Sequence, residues 1–218
     1  MIPPQSRERK GPHFRREKPL NLKSGKKFLI VTEGEKTEPN YFKKLRKYLG
    51  LRTNVEVVHP DATDPITLVN EAKELRAKRE REAKKRPDRV EYDEVWVVFD
   101  LEKIHDERRR LAGEAIEKAR NSAIRVAYSD PSFEYWLILH EKYTAAPLQD
   151  GDESIKRLKE YWPEYEKNQE FPEKFIKKYP TATQNAERVR QYHEESGNDG
   201  MNRNPYTEVD CLVQSLTK

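Results

Sequence analysis

Three acids stand directly after apolar runs. Glu33 follows Phe28-Leu29-Ile30-Val31-Thr32, and Asp100 and Glu102 follow Val95-Trp96-Val97-Val98-Phe99. Two more, Asp61 and Asp64, follow Val55–Val58. On extended backbone, side chains two residues apart project to the same side, so Asp100 and Glu102 are expected to face one cation. Carboxylate oxygens suit Mg²⁺ or Mn²⁺, which take one or two carboxylates, waters and substrate phosphate. Beside a phosphodiester such an ion activates water and neutralises charge on the scissile phosphate. Acids at strand ends also cap helix amides, and for Asp100-Leu101-Glu102 alone capping is the stronger reading. The balance shifts because Glu33-Gly34 and Asp100-Leu101-Glu102 fall at two strand ends, in the order expected of one site.

Other side chains near these acids have two readings each. Glu134 lies in the first turn of a helix, where its carboxylate either meets the helix dipole or joins the site as a catalytic or ligand group. Lys36 and Lys103 neighbour the acids and are candidates to hold substrate phosphate; in a chain this rich in lysine, chance placement is the alternative. His140 shares a helical face with Phe133, Trp136 and Leu137, which favours a hydrogen-bonded core histidine over a catalyst.

The elements that must position these residues are legible from periodicity and punctuation. Strands are expected at Lys27–Thr32, Val55–Val58, Glu94–Phe99 and Ala123–Tyr128, the third apolar on both faces and so central in a parallel sheet. Between them, helices are expected from Pro39, with Tyr41, Phe42, Leu45, Tyr48 and Leu49 on one face, over Ile66 to Arg86, and over Asp106–Asn121. Asp130 is expected to cap a fourth helix with Pro131 at its first position. Beyond Tyr143 the alternation stops. A loop over 145–154 leads to expected helices at Ile155–Trp162, Phe171–Lys178, Thr183–Glu195 and Tyr206–Leu216. Strand–helix alternation predicts an α/β fold, a Rossmann-like parallel sheet flanked by helices, with the ligand site beyond the carboxyl ends of the strands. The expected organisation is a basic arm over 1–25, an α/β core over 26–143 and a helical C-terminal part over 144–218 packing on the core.

Composition bounds the partners. Only 34% of residues are hydrophobic and 38% are charged, a balance that would signal disorder were the apolar runs not so compact and well bounded. Net charge is +4, but residues 1–27 hold nine Lys/Arg against two Glu, and the remainder 34 against 37. A basic arm fits either a nucleic-acid contact or a solvated tail. Cys211, alone in the chain, excludes an internal disulfide and a cysteine-rich zinc site, and its apolar surroundings suit a small buried hydrophobe. No apolar stretch suits a secretory signal or a membrane span, so a cytoplasmic location is expected. No Gly-rich nucleotide loop is present, so ATP hydrolysis would have to come from a partner.

The strand-end acids resemble the Toprim domain of topoisomerases, bacterial primases and OLD-type nucleases. There a Glu-Gly follows the first strand and an Asp-x-Asp the third. The resemblance implies that Glu33 serves in acid/base or metal chemistry and that Asp100 and Glu102 bind Mg²⁺, Glu102 standing where the family has a second Asp. A longer resemblance is to the RloB family. It is carried by Val31-Thr32-Glu33-Gly34-Glu35-Lys36-Thr37-Glu38-Pro39 with Tyr41-Phe42, by Val95–Asp100, by Ser129-Asp130-Pro131-Ser132-Phe133-Glu134-Tyr135-Trp136 continuing to His140, and by Asn204-Pro205-Tyr206-Thr207 with Val209 and Leu212-Val213. It implies a Toprim-like fold, a place in abortive-infection or phage defence, and an ABC-type ATPase encoded alongside as partner. The resulting expectation is a Mg²⁺-dependent nuclease acting on DNA or RNA, with Glu33 and Glu134 catalytic, as monomer or homo-oligomer. The alternatives are a non-catalytic module that binds the ATPase or nucleic acid, and a primase-like phosphotransfer role.

Overall fold

The computed structural model describes residues 25–51, 54–60, 64–102 and 106–218. Of the expected arm over 1–25, residues 1–24 lie outside the described residues, as do Asp61 and Lys103.

The apolar runs form β1 (Lys27–Thr32), β2 (Asn54–Val58), β3 (Glu94–Asp100) and β4 (Arg125–Asp130). All four pair in parallel, in the order β2-β1-β3-β4. The interior of β3 is buried on both faces, as its unbroken apolar run requires. A fifth strand, β5 (Tyr206–Thr207), adds to β4 antiparallel, Ser129 facing Thr207 and Asp130 facing Tyr206. The chain is thus α/β, with a five-stranded, mostly parallel, Rossmann-like sheet.

Helices α1 (Thr37–Tyr48), α2 (Pro65–Lys85) and α3 (Asp106–Arg120) cross between the parallel strands. Right-handed crossovers in this order put α1 on one face and α2 with α3 on the other. On α2, Asp64 is the N-cap, its carboxylate accepting from Thr67 N at 2.9 Å, and Pro65 opens the first turn. Asp64 is therefore a capping acid. After β4 comes α4 (Phe133–Leu139), of which every residue is buried. Tyr41 of α1 packs edge-on against Phe133 and Trp136, while α5 (Gly151–Lys159) and α7 (Tyr179–Glu195) cover the remaining sides of α4. The short α6 (Glu173–Ile176) lies between α5 and α7 in sequence, and α8 (Val209–Thr217) follows β5. One continuous core runs from Phe28 through Phe99, Trp136, Tyr165 and Val189 to Leu216.

Three expectations are corrected. Asp130 is the last residue of β4 and not a helix cap; Ser132 holds the N-cap position, with Pro131 before it. Tyr206–Thr207 is a strand, because its backbone completes the free edge of β4, so the final helix starts at Val209. The fifth helix starts at Gly151 inside the expected loop, capped by Asp150, whose carboxylate accepts from Glu153 N at 3.0 Å.

Candidate acidic site at the strand ends

The order β2-β1-β3-β4 reverses direction between β1 and β3, which leaves a crevice beyond their carboxyl ends. Glu33 and Asp100 stand there. Glu33 Oε2 accepts from Asp100 N at 3.1 Å, bridging the two strand ends. Past β3 the backbone turns: Leu101 is buried, and Glu102 takes φ 58°, a left-handed conformation rarely adopted by side-chain-bearing residues. Glu102 N donates to Pro131 O at 2.7 Å, which ties this turn to the one before α4. The extended geometry expected of Asp100-Leu101-Glu102 therefore breaks at Glu102. Asp100 is tucked against the start of α4, and Glu102 is exposed at the rim.

A cavity of about 260 Å³ joins these acids to others. Glu33, Glu35, Glu38, Asp100, Glu102 and Glu134 line it, with Lys36, Lys167 and Asn168. Glu38 enters because Gly34 has no side chain: a Cβ there would come within 1.8 Å of Glu38 Oε2. Gly34 N instead donates to Glu38 Oε1 at 3.2 Å. Glu134 accepts from Ser132 Oγ at 2.7 Å and from Tyr165 Oη at 3.0 Å, which uses both of its oxygens. Arg108 Nη2 donates to both oxygens of Glu33, at 2.6 and 2.7 Å, and to Asp100 O at 2.7 Å.

Charge is crowded here. Burial, then the carboxylates of Glu38, Glu134 and Glu33, hold the Asp100 carboxyl well above its ordinary range. Burial followed by Glu134 and Glu33 pushes Glu38 up to about 7. Burial also raises Glu33, with Arg108 opposing. One oxygen makes no contact to balance this: Asp100 Oδ1 is shielded from solvent and has no hydrogen-bond partner, while Oδ2 accepts from Phe133 N at 3.0 Å. Among the described residues no three acidic, histidine or cysteine side chains are already closed around one point as a preformed metal centre. Mg²⁺ needs only one or two carboxylates, its remaining positions going to water and substrate. An orphan carboxylate oxygen among mutually repelling acids is a donor set that fits such a cation.

The structure thus brings Glu33, Asp100, Glu102, Glu134 and Lys36 to one cavity, Lys36 exposed at the N-cap position of α1. Glu38, Arg108 and Lys167 were not singled out from sequence. Glu38 reads there as an ordinary first-turn acid, and Arg108 as one of three successive arginines in a charged helix. His140 is a core residue: its Nε2 meets Tyr41 Oη and its Nδ1 the Trp136 carbonyl, both at 3.1 Å, and burial lowers its pKa to about 3. Cys211 is half-buried against the core. Among the described residues no helix is long and apolar enough to cross a membrane.

No curated protein and no solved structure matches the chain. The family model described as RloB-like protein matches residues 28–216, from the second residue of β1 to the last turn of α8. Its span takes in every strand and all the acids of the cavity, and the chain accordingly belongs to the RloB-like family.

Proposed function

We propose that the cavity is a divalent-cation-dependent site for cleaving nucleic-acid phosphodiesters. The observation that carries this reading is the buried, unpartnered Oδ1 of Asp100, set at the switch point among five further carboxylates. Asp100, with Glu33 and Glu102, would hold Mg²⁺ or Mn²⁺. The bound ion supplies charge neutralisation at the scissile phosphate and activation of water. The chain's own residues do the rest. Arg108 fixes Glu33 by two charge-assisted hydrogen bonds and opposes the upward push of burial on its carboxyl. Glu134, held by Ser132 and Tyr165, is an oriented carboxylate on the α4 side, placed for proton exchange with a reacting group. Lys36 stands at the rim as a phosphate contact, and Lys103 is proposed in the same role. The RloB-like resemblance adds an effector role in abortive-infection or phage defence, with an ABC-type ATPase as partner.

Asp100→Asn tests the chemistry. Asn keeps the size and one oxygen but removes the charge a hard cation needs, whereas Asn and Asp serve nearly equally as helix caps. Nicking and RNA-cleavage assays in Mg²⁺ and Mn²⁺, with the ATPase added where one is encoded alongside, should show cleavage by the parent chain and at least a hundredfold loss in the variant. Circular dichroism should show an unchanged fold. Full cleavage by folded Asp100→Asn rules out the assigned ligand.

A second reading has its own observation. Both oxygens of Glu33 and both of Glu134 are already satisfied by protein donors, as in a structural acid cluster. On that reading the chain is a non-catalytic module that docks the ATPase or nucleic acid, and neither protein cleaves under any of these conditions.

A further inference from the structure

Helix α1 begins in the acidic cavity and leads away from it. Lys36, Asn40, Lys43, Lys44 and Lys47 recur along it at intervals of four, three, one and three residues, which is one stripe of a helix. Lys36, Lys43 and Lys47 are exposed and Lys44 half-buried. From Pro39 to Val55 the chain carries no acidic residue, and Glu38, the one acid of α1, is turned into the cavity. Among the described residues, none of these lysines forms an ion pair or a side-chain hydrogen bond; most arginines of α2, α3 and α5, by contrast, are engaged by acids.

A second cavity, of about 220 Å³, lies along this stripe. Asn40, Lys43, Lys44 and Lys47 line it, with Glu170 as its one acid and Phe171 at its floor. It shares a wall with the acidic cavity. Asn40 Nδ2 donates to the carbonyls of Asn168 and Gln169, each at 3.3 Å, and Asn168 and Lys167 line the acidic cavity on the other side of that contact.

We infer that the α1 lysine stripe is a track for the phosphate backbone of a nucleic acid, leading one strand past Lys36 into the acidic cavity. This deepens the nuclease reading, on which it rests, by naming the surface that receives the substrate. The acids alone repel a polyanion, so a cation site of this kind needs a basic approach beside it. The stripe from Lys36 to Lys47 is about 16 Å long at the helical rise. Lysines meet phosphates as point charges, so contacts along the stripe carry no sequence information of their own.

The test measures binding apart from cleavage. Anisotropy of a labelled oligonucleotide, single-stranded or duplex, is followed with the full chain carrying Asp100→Asn, over salt from about 50 to 200 mM. Adding Lys43→Gln, Lys44→Gln and Lys47→Gln together should weaken binding at least tenfold. It should also flatten the slope of log affinity against log salt, by about 2 on single strands and nearly 3 on duplex. A control triple on exposed lysines of α2, Lys78→Gln with Lys84→Gln and Lys85→Gln, removes the same charge and should leave the slope within about 1 of the parent. Lysine-to-arginine changes at 43, 44 and 47 should restore binding. Equal losses in the two glutamine triples, an unchanged slope in the α1 triple, or no binding by the parent overturns the track. Lysine-dependent binding in a chain that never cleaves retires the nuclease reading and leaves the track standing. Cleavage that the α1 triple does not weaken does the reverse.

Discussion

At the scale of single residues, the site is a contest between carboxylate repulsion and the groups that relieve it. Glu38 shows the sign of that contest. Its folded pKa of about 7 lies above the ordinary 4.5, mainly through burial. The folded state therefore holds a proton that the unfolded state releases between those values. The stabilisation is fully present below about pH 4.5 and is lost as pH rises through 7, a difference on the order of 3 kcal/mol at most. Denaturant titrations across this range should show Glu38→Gln flattening the loss between pH 4.5 and 7 relative to the parent chain. Gly34→Ala should act on the same carboxylate by space. The new methyl cannot coexist with Glu38 Oε2 where it now lies, so Glu38 must swing away from the Gly34 amide. The expected result is a stability change of about 1 kcal/mol, with a larger loss of Mn²⁺ affinity by calorimetry. Unaltered Mn²⁺ affinity would separate Glu38 from the site.

At the scale of elements, the end of β4 is held by contacts its own sequence does not supply. Asp130 is fully buried and meets Arg109 Nη2 of α3 at 2.8 Å and Asn204 Nδ2 at 2.7 Å. Arg109 and Arg108 are successive on α3, so one helix end braces Asp130 with one residue and Glu33 with the next. Removing one partner of a buried pair leaves an uncompensated charge. Arg109→Ala should therefore cost about 3–5 kcal/mol in chemical denaturation. Asp130→Asn in the same chain should recover part of that, because the stranded charge is gone. No recovery would mean that Arg109 acts by packing alone.

At the scale of the whole molecule, the C-terminal part is a wall of the core. Helix α4 has no exposed face, since α1 covers one side and α5 with α7 cover the others. Tyr165 lies beyond the α/β alternation, yet its hydroxyl holds Glu134 in the cavity. A chain stopped after Tyr143 would expose Trp136, Leu137 and Leu139 to water, a contiguous apolar surface of the kind that drives aggregation. Such a chain should be recovered only in aggregates, or should unfold without a cooperative transition. A soluble, cooperatively folding 26–143 piece would show the core to be independent.

The local signals in the sequence determined a good deal. An apolar run of five or six residues has few ways to be buried, so β1, β3 and β4 were legible within two residues of their ends, as was the place of β3 at the sheet's centre. Strand–helix alternation determined a parallel sheet, and the switch-point rule then put Glu33 and Asp100 at one end of it. Long motifs carried the RloB-like resemblance, and the family match spans the same elements. The tertiary structure decided what depends on partners distant in sequence. Tyr206–Thr207 has the local pattern of a helix start, but the open edge of β4 offers its backbone a ladder, and the ladder wins. Asp130 has the type and position of a cap, but Arg109 and Asn204 reach it first. Arg108 and Tyr165 carry no mark in sequence, because each belongs to the site only through chain that folds back from elsewhere, whereas Glu38 enters locally, against Gly34 four residues before it. Propensity and periodicity act over a few residues, whereas burial, and with it the upward push on the carboxyls of Glu33, Glu38 and Asp100, is set by the whole molecule.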